Sequence, residues 1–361
     1  MRTTGKAFCL LLLSALLLAA CAAAPSTAPT TQPTTAPAAS ASPASVSTEP
    51  PATKSPETPA PTDGPTATPE PEPTYTPIPL PTTNITGSLP DPAKWVASLK
   101  FEPKDYPRVD GSTANIPLGV YVRAKLTGES LAACEMKTAF TKTGQSWLAL
   151  ANQQTDLLLV YEAPEEIKAQ LTGVKLTAKP IGLDALVFLT NKGNGVKSLT
   201  QKQIIDIYTG KIKNWSKVGG EDTAIIPYQR ISNSGSQALM EKLAMKGIKM
   251  MEAPSILQPA EMGELVDAIA SYDNTKNALG YSVFYYVKNM YQATGVKVLA
   301  VDGVQPTNES IASKQYPYLN EFYAVIRQEE PADSAAHKIF DWLTGAEGKR
   351  AIEDAGYVAV K

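Results

Sequence analysis

Proline is spread so unevenly along this chain that it decides first how much of the chain can fold. Of 30 prolines in 361 residues, seventeen fall within residues 22–88. The rest of that stretch is mostly Thr, Ala and Ser, with a few apolar side chains around Ile78-Pro79-Leu80. Such a composition cannot bury enough surface to offset the entropy of ordering it. Residues 21–88 are therefore expected to form a disordered linker. In a polyproline conformation its contour approaches ~200 Å, the reach of a tether through a thick envelope layer. Folding is left to residues 89–361.

Charge follows the same division. The chain carries 33 Lys and Arg against 35 Asp and Glu. Three of the basic residues (Arg2, Lys6, Lys54) and five of the acidic ones (Glu49, Glu57, Asp63, Glu70, Glu72) precede residue 89, which leaves thirty of each sign in the folding part. A neutral body argues against nucleic-acid binding, which needs a basic face. Three cysteines cannot make a disulfide framework, and the single histidine, His337, nearly removes His-based catalysis and metal sites. Arg2 and Lys6 precede an apolar run over residues 7–20 that is too short for a permanent span. The run ends Leu18-Ala19-Ala20-Cys21, which resembles the lipobox of bacterial lipoproteins. Residues 1–20 are then expected to be a cleaved signal peptide, with Cys21 lipidated. Cys134 is expected to be a lone buried thiol.

From residue 89 onward, short apolar runs alternate with amphipathic stretches. Strands are expected at 155–161, 185–190, 296–301 and 322–327. Helices are expected at 117–125, 145–152, 200–208, 236–245, 262–272 and 334–343. Thr200-Gln201-Lys202-Gln203 reads as a capping box, with Gly210 closing the helix it opens. The alternation indicates an α/β fold.

Three segments place small hydroxyl residues and glycine directly before a helix. They are Asp110-Gly111-Ser112-Thr113-Ala114, Thr143-Gly144-Gln145-Ser146 and Arg230-Ile231-Ser232-Asn233-Ser234-Gly235-Ser236. A helix start offers free N–H groups and a positive dipole end, and the hydroxyls add donors. Together the three could hold a tetrahedral oxyanion, with Arg230 as the forked cation. Taken singly, each also reads as ordinary N-capping.

Arg230-x-x-x-Ser234-Gly235-Ser236 resembles the R-x-x-x-S-G-T signature of the phosphate-binding proteins of bacterial phosphate ABC transporters. The runs Ala185-Leu186-Val187-Phe188, Ile207-Tyr208-Thr209-Gly210-Lys211-Ile212-Lys213-Asn214-Trp215 and Ala278-Leu279-Gly280-Tyr281 are similar to that family in the same order. Asp110-Gly111-Ser112-Thr113 and Thr143-Gly144 resemble its first two phosphate loops. Threonine stands for serine in the second loop, and Ser236 for threonine in the third. The family also places an aspartate at the position of Tyr161, with Glu162 next here.

The resemblance implies a two-lobed, type II periplasmic-binding-protein-like fold with a ligand cleft. Lobe I would comprise residues 89–183 plus 317–361 and lobe II residues 184–316, with crossings near 182–186 and 316–322. It implies a solute-binding lipoprotein, lipid-anchored outside the cytoplasm, that captures inorganic phosphate for an ABC permease. No enzyme activity, cofactor, metal or nucleic-acid partner is expected. Ser112, Thr113, Thr143, Ser234 and Ser236 would donate hydroxyl bonds, and Ala114 and Gly235 backbone N–H bonds. Arg230 would balance charge, and Glu162 would accept the ligand's proton. The alternatives are the same fold with sulfate or molybdate, and an envelope sensor or adhesion lipoprotein that feeds no transporter.

Overall fold

The computed structural model describes residues 87–271 and 275–360. The leader, Cys21 and all but the last two linker residues lie outside them. In chain order the strands are β1 (Val109–Gly111), β2 (Leu157–Tyr161), β3 (Leu176–Asn191), β4 (Ser198–Leu199), β5 (Ile226–Pro227), β6 (Ala278–Val283), β7 (Val296–Val301), β8 (Leu319–Arg327) and β9 (Val358–Ala359). The α-helices up to residue 208 are α1 (Ile116–Thr127), α2 (Leu131–Met136), α3 (Thr143–Ala151), α4 (Glu165–Gln170) and α5 (Gln201–Tyr208). After them come α6 (Gly235–Leu239), α7 (Met262–Ala270), α8 (Asn308–Ala312), α9 (Ala335–Thr344) and α10 (Ala346–Asp354).

One long strand organises the sheet. β3 pairs with β8 from Leu176 to Ala185 and then changes partners, running against β6 and β7 from Leu186 to Asn191. The first part belongs to a sheet region in the order β1-β2-β8-β3, and the second leads to β6 and β5. Just before the switch, the register with β8 slips between Pro180 and Gly182. Pro180 has no N–H to give the ladder. A Cβ at Gly182 would lie 2.1 Å from the Phe322 ring, so only glycine lets the strands approach here.

β2 shows how period-two alternation sorts the core. Leu157, Leu159 and Tyr161 face the main hydrophobic cluster. Leu158 and Val160 face a smaller one with Trp147 and Leu150 of α3 and Ile167 of α4. Both faces are covered, which is why the strand reads as a continuous apolar run.

The expected strands all form, and the one expected at 185–190 is the second half of the much longer β3. The first half of β3, with its Lys, Pro and Gly, carried no clear strand pattern. β6 and α10 were not anticipated either. The capping box at Thr200 and Gln203 forms, and Gly210 stands at φ 76° just beyond α5. Cys134 is a buried free thiol. Tyr281, Phe284, Tyr285 and Tyr286 are core residues. The helix expected at 236–245 is α-helical only to Leu239 and continues as a π-helix over Met240–Met245.

Candidate functional site

Residues 112–114 and 143 approach residues 230–236 around a partly open cavity of about 30 Å³. On the same measure a single water needs ~10–15 Å³, so the space suits an ion of a few heavy atoms and excludes a sugar or nucleotide. Eight of the nine expected binding residues line it: Ser112, Thr113, Ala114, Thr143, Arg230, Ser234, Gly235 and Ser236.

The first wall is a hydroxyl cluster hung from β1, β2 and α3. Ser112 follows β1 and is anchored by its N–H to the Leu159 carbonyl. Its Oγ accepts from the Tyr161 N–H at 3.0 Å and meets Thr143 Oγ1 at 2.8 Å. Thr143 is the first residue of α3, so its hydroxyl and the free N–H groups of the first turn stand together.

The second wall carries the charge. Ser234 caps α6, accepting from the Gln237 N–H, and its Oγ lies 3.0 Å from Ser236 Oγ. Arg230 is 5% exposed. Its guanidinium donates to the Pro259 carbonyl at 3.0 Å, the Ala260 carbonyl at 2.8 Å and Ser236 Oγ at 3.3 Å. All three acceptors are neutral, and Arg230 forms no ion pair with any carboxylate among the described residues. Burial lowers its pKa from the ordinary value, since the charged form is the one that loses hydration. A buried cation held by neutral acceptors leaves its charge available to an anion.

The walls meet closely. A Cβ at Gly235 would stand 2.5 Å from Thr143 Oγ1, so glycine at this helix start is what allows the two loops to approach.

Glu162 is the expected site residue that does not join them. It follows Tyr161 in the strand direction, and the alternation that turns Tyr161 toward the main core turns Glu162 to the opposite side. There its carboxylate pairs with Lys168 of α4 and with Lys242. These lysines hold its pKa below the ordinary carboxylate value against the opposing effect of burial. Asp110 and Asp156 do not replace it. Asp110 accepts from the Gly111 and Thr141 N–H groups and the Thr141 hydroxyl, and Asp156 pairs with Arg108. Tyr161 lines the cavity, but its hydroxyl donates to buried Asp184 at 2.6 Å. Burial pushes the Asp184 carboxyl up to about 6.

Sequence reasoning missed two charged lining residues, Lys142 and Glu261, which form an ion pair. Lys142 belongs to no motif, and Glu261 stands at the start of α7 in a capping box with Glu264. Only the backbone of Lys142 marks it, at φ 82° and ψ 163°, a conformation that costs a non-glycine residue of order 1–3 kcal/mol.

Comparison with known proteins places this arrangement. The chain is 27% identical over 183 residues to the phosphate-binding protein PstS of Borreliella burgdorferi, covering 49% of this chain and 64% of that protein. It thus spans somewhat less than two thirds of that relative's length. With PstS of Bacillus subtilis the identity is 26% over 254 residues, 70% of this chain and 80% of the relative. Among solved structures, a phosphate ABC transporter substrate-binding protein from Clostridium perfringens with bound phosphate superposes with a TM-score of 0.54 at 25% identity. That match covers 70% of this chain and 98% of the other. A phosphate transport receptor from Vibrio cholerae, at 22% identity and a TM-score of 0.52, shares the fold. A family model described as a PBP superfamily domain matches residues 108–347, and with a β3-joined sheet and a cavity between loops from both of its regions, the chain belongs to the PBP superfamily.

Proposed function

We propose that this protein binds inorganic phosphate and presents it, outside the cytoplasm, to the permease of an ABC transporter, without chemical change to the ligand. The observation that carries the reading is Arg230: a buried guanidinium with only neutral acceptors, facing the Ser112–Thr143 hydroxyl pair across a cavity of ion size. The names of the relatives in B. subtilis and B. burgdorferi agree with it.

In this reading lobe I comprises residues 89–183 and 317–361, and lobe II residues 184–316. β3 and the 316–322 crossing form the hinge, and ligand bridging both walls selects the closed form. Ser112, Thr113, Thr143, Ser234 and Ser236 donate hydroxyl bonds, Ala114 and Gly235 donate backbone N–H bonds, and Arg230 supplies charge. Cys21 carries the lipid, and the proline-rich stretch is the tether.

Equilibrium dialysis of the chain against labelled phosphate, with sulfate as competitor, tests the central claim. Saturable binding of one phosphate per chain is expected. No retention of phosphate, or displacement by equal sulfate, would overturn it. Anchoring is tested separately by detergent partition: wild-type protein should enter the detergent phase, and Cys21→Ala should not.

A further inference from the structure

A second cavity lies behind the Arg230 wall. Gln229 and Arg230 are neighbours in the chain, yet Arg230 lines the anion cavity and Gln229 lines an open pocket of about 580 Å³. The segment that follows divides in the same way: Ser234, Gly235 and Ser236 line the first space, and Gln237 and Glu241 line the second. One wall therefore serves two cavities. The second falls in the size range of small-molecule sites, roughly 300–1,000 Å³, and phosphate capture makes no use of it.

Its polar lining accepts more than it donates. Gln229 is 7% exposed; its Nε2 donates to the Met251 carbonyl at 2.7 Å, and its Oε1 has no partner among the described residues. Gln258 repeats the pattern, with Nε2 donating to the Ala253 carbonyl at 2.6 Å and Oε1 without a partner among those residues. Gln237, 5% exposed, donates from Nε2 to Glu241 Oε1 at 2.8 Å. A buried amide oxygen that faces a pocket with no donor is an unmet acceptor. Glu241, Glu252 and Lys249 also line the pocket, and none of them forms an ion pair among the described residues. Two carboxylates against one ammonium leave it net negative, and Met250 and Met251 add apolar, adaptable surface. Glu241 itself stands on the π-helix over Met240–Met245, a rare form that recurs at functional sites.

We propose that this pocket binds a small aliphatic amine in its cationic form, a molecule with ammonium groups on a short hydrocarbon chain. Ammonium hydrogens satisfy the Gln229 and Gln258 oxygens, Glu241 and Glu252 balance the charge, and the methionines cover the chain. The site is joined to the anion cavity through Gln237, whose Oε1 accepts from the Arg230 N–H at 3.1 Å and from the Tyr281 hydroxyl. An ammonium behind the wall is repelled by the Arg230 guanidinium until an anion neutralises it, so the two ligands favour each other's binding. That coupling rests on the phosphate reading; the amine site does not.

Titration calorimetry of the full chain with 1,5-diaminopentane, at neutral pH and fixed ionic strength, tests this. Saturable binding of one diamine per chain is expected, and glutarate, a dianion of equal chain length, should give none. Glu241→Gln combined with Glu252→Gln should weaken the diamine about tenfold or more, with circular dichroism unchanged. Gln229→Met keeps the volume, removes the unmet acceptor and should cost about fivefold. Saturating phosphate should raise diamine affinity about threefold or more. No saturable diamine binding, equal binding of glutarate, or a double variant that binds the diamine like wild type overturns the site. Equal diamine affinity with and without bound phosphate overturns the coupling alone. Protein that binds the diamine but not phosphate keeps the site and overturns the phosphate reading.

Discussion

The wall built from residues 112–114 and 143 and the wall built from residues 230–236 meet the same cavity with different chemistry. The first offers neutral hydroxyls already bonded to one another, Ser112 to Thr143 at 2.8 Å. The second offers a buried guanidinium held by two backbone carbonyls and the Ser236 hydroxyl. Charge thus lies on one side and adaptable neutral donors on the other, so neither wall alone makes a site for an anion. A cradle divided this way rewards closure, because the buried cation is matched only when ligand spans both.

The sharpest way to break the comparison is to remove the charge. Arg230→Ala should weaken phosphate binding by about 2–5 kcal/mol, tens to thousands of times in affinity. Arg230→Lys should recover part of this, lacking the planar fork. A change below about threefold by calorimetry would rule out this role for Arg230.

Behind the first wall, Asp184 at the β3 switch makes a pH prediction. Its folded value of about 6 exceeds the ordinary 3.8, so between these the folded state binds more protons than the unfolded one. Stability contributed by this group therefore falls as pH rises from about 4 to 6 and stays low above, by roughly 3 kcal/mol at most. Asp184→Asn should abolish that component when urea midpoints are compared across pH. Identical pH profiles for the two proteins would show that Asp184 is not the group titrating.

Contact between the walls is next. Gly235→Ala puts a methyl 2.5 Å from Thr143 Oγ1 and should cost ~1–3 kcal/mol of closed-form binding energy. Wild-type phosphate affinity in this variant would mean that the loops stand further apart with ligand. Thr143→Val keeps the shape and removes a hydroxyl, for about 1 kcal/mol or roughly fivefold in affinity. Loss comparable to Arg230→Ala would erase the division between charged and neutral walls. The smallest effect belongs to Glu162→Gln, whose partly exposed ion pairs contribute ~1 kcal/mol or less and fade with salt.

Much of the site was legible because its chemistry is local. Ser112, Thr143 and Ser234 stand where helix starts need hydroxyls, and Arg230 stands four residues before Ser234 within a single loop. Glu162 was misread for an equally local reason. The step from Tyr161 to Glu162 reverses the side chain on a strand, and both faces of β2 are buried, so the apolar run gave no sign of which face looks toward the cavity. Glu261 and Lys142 were invisible, since each is one charged residue among many until the fold sets them across a mouth.

By itself the sequence determined where several helices start and that three donor-rich turns exist, because turn chemistry and capping act over a few residues. The tertiary structure alone decided that β3 changes partners after Ala185, that Gly235 meets Thr143, and that Lys142 and Glu261 join the cavity lining while Glu162 does not. Those outcomes depend on packing between segments far apart in the chain, and no short-range pattern encodes the distance between two loops.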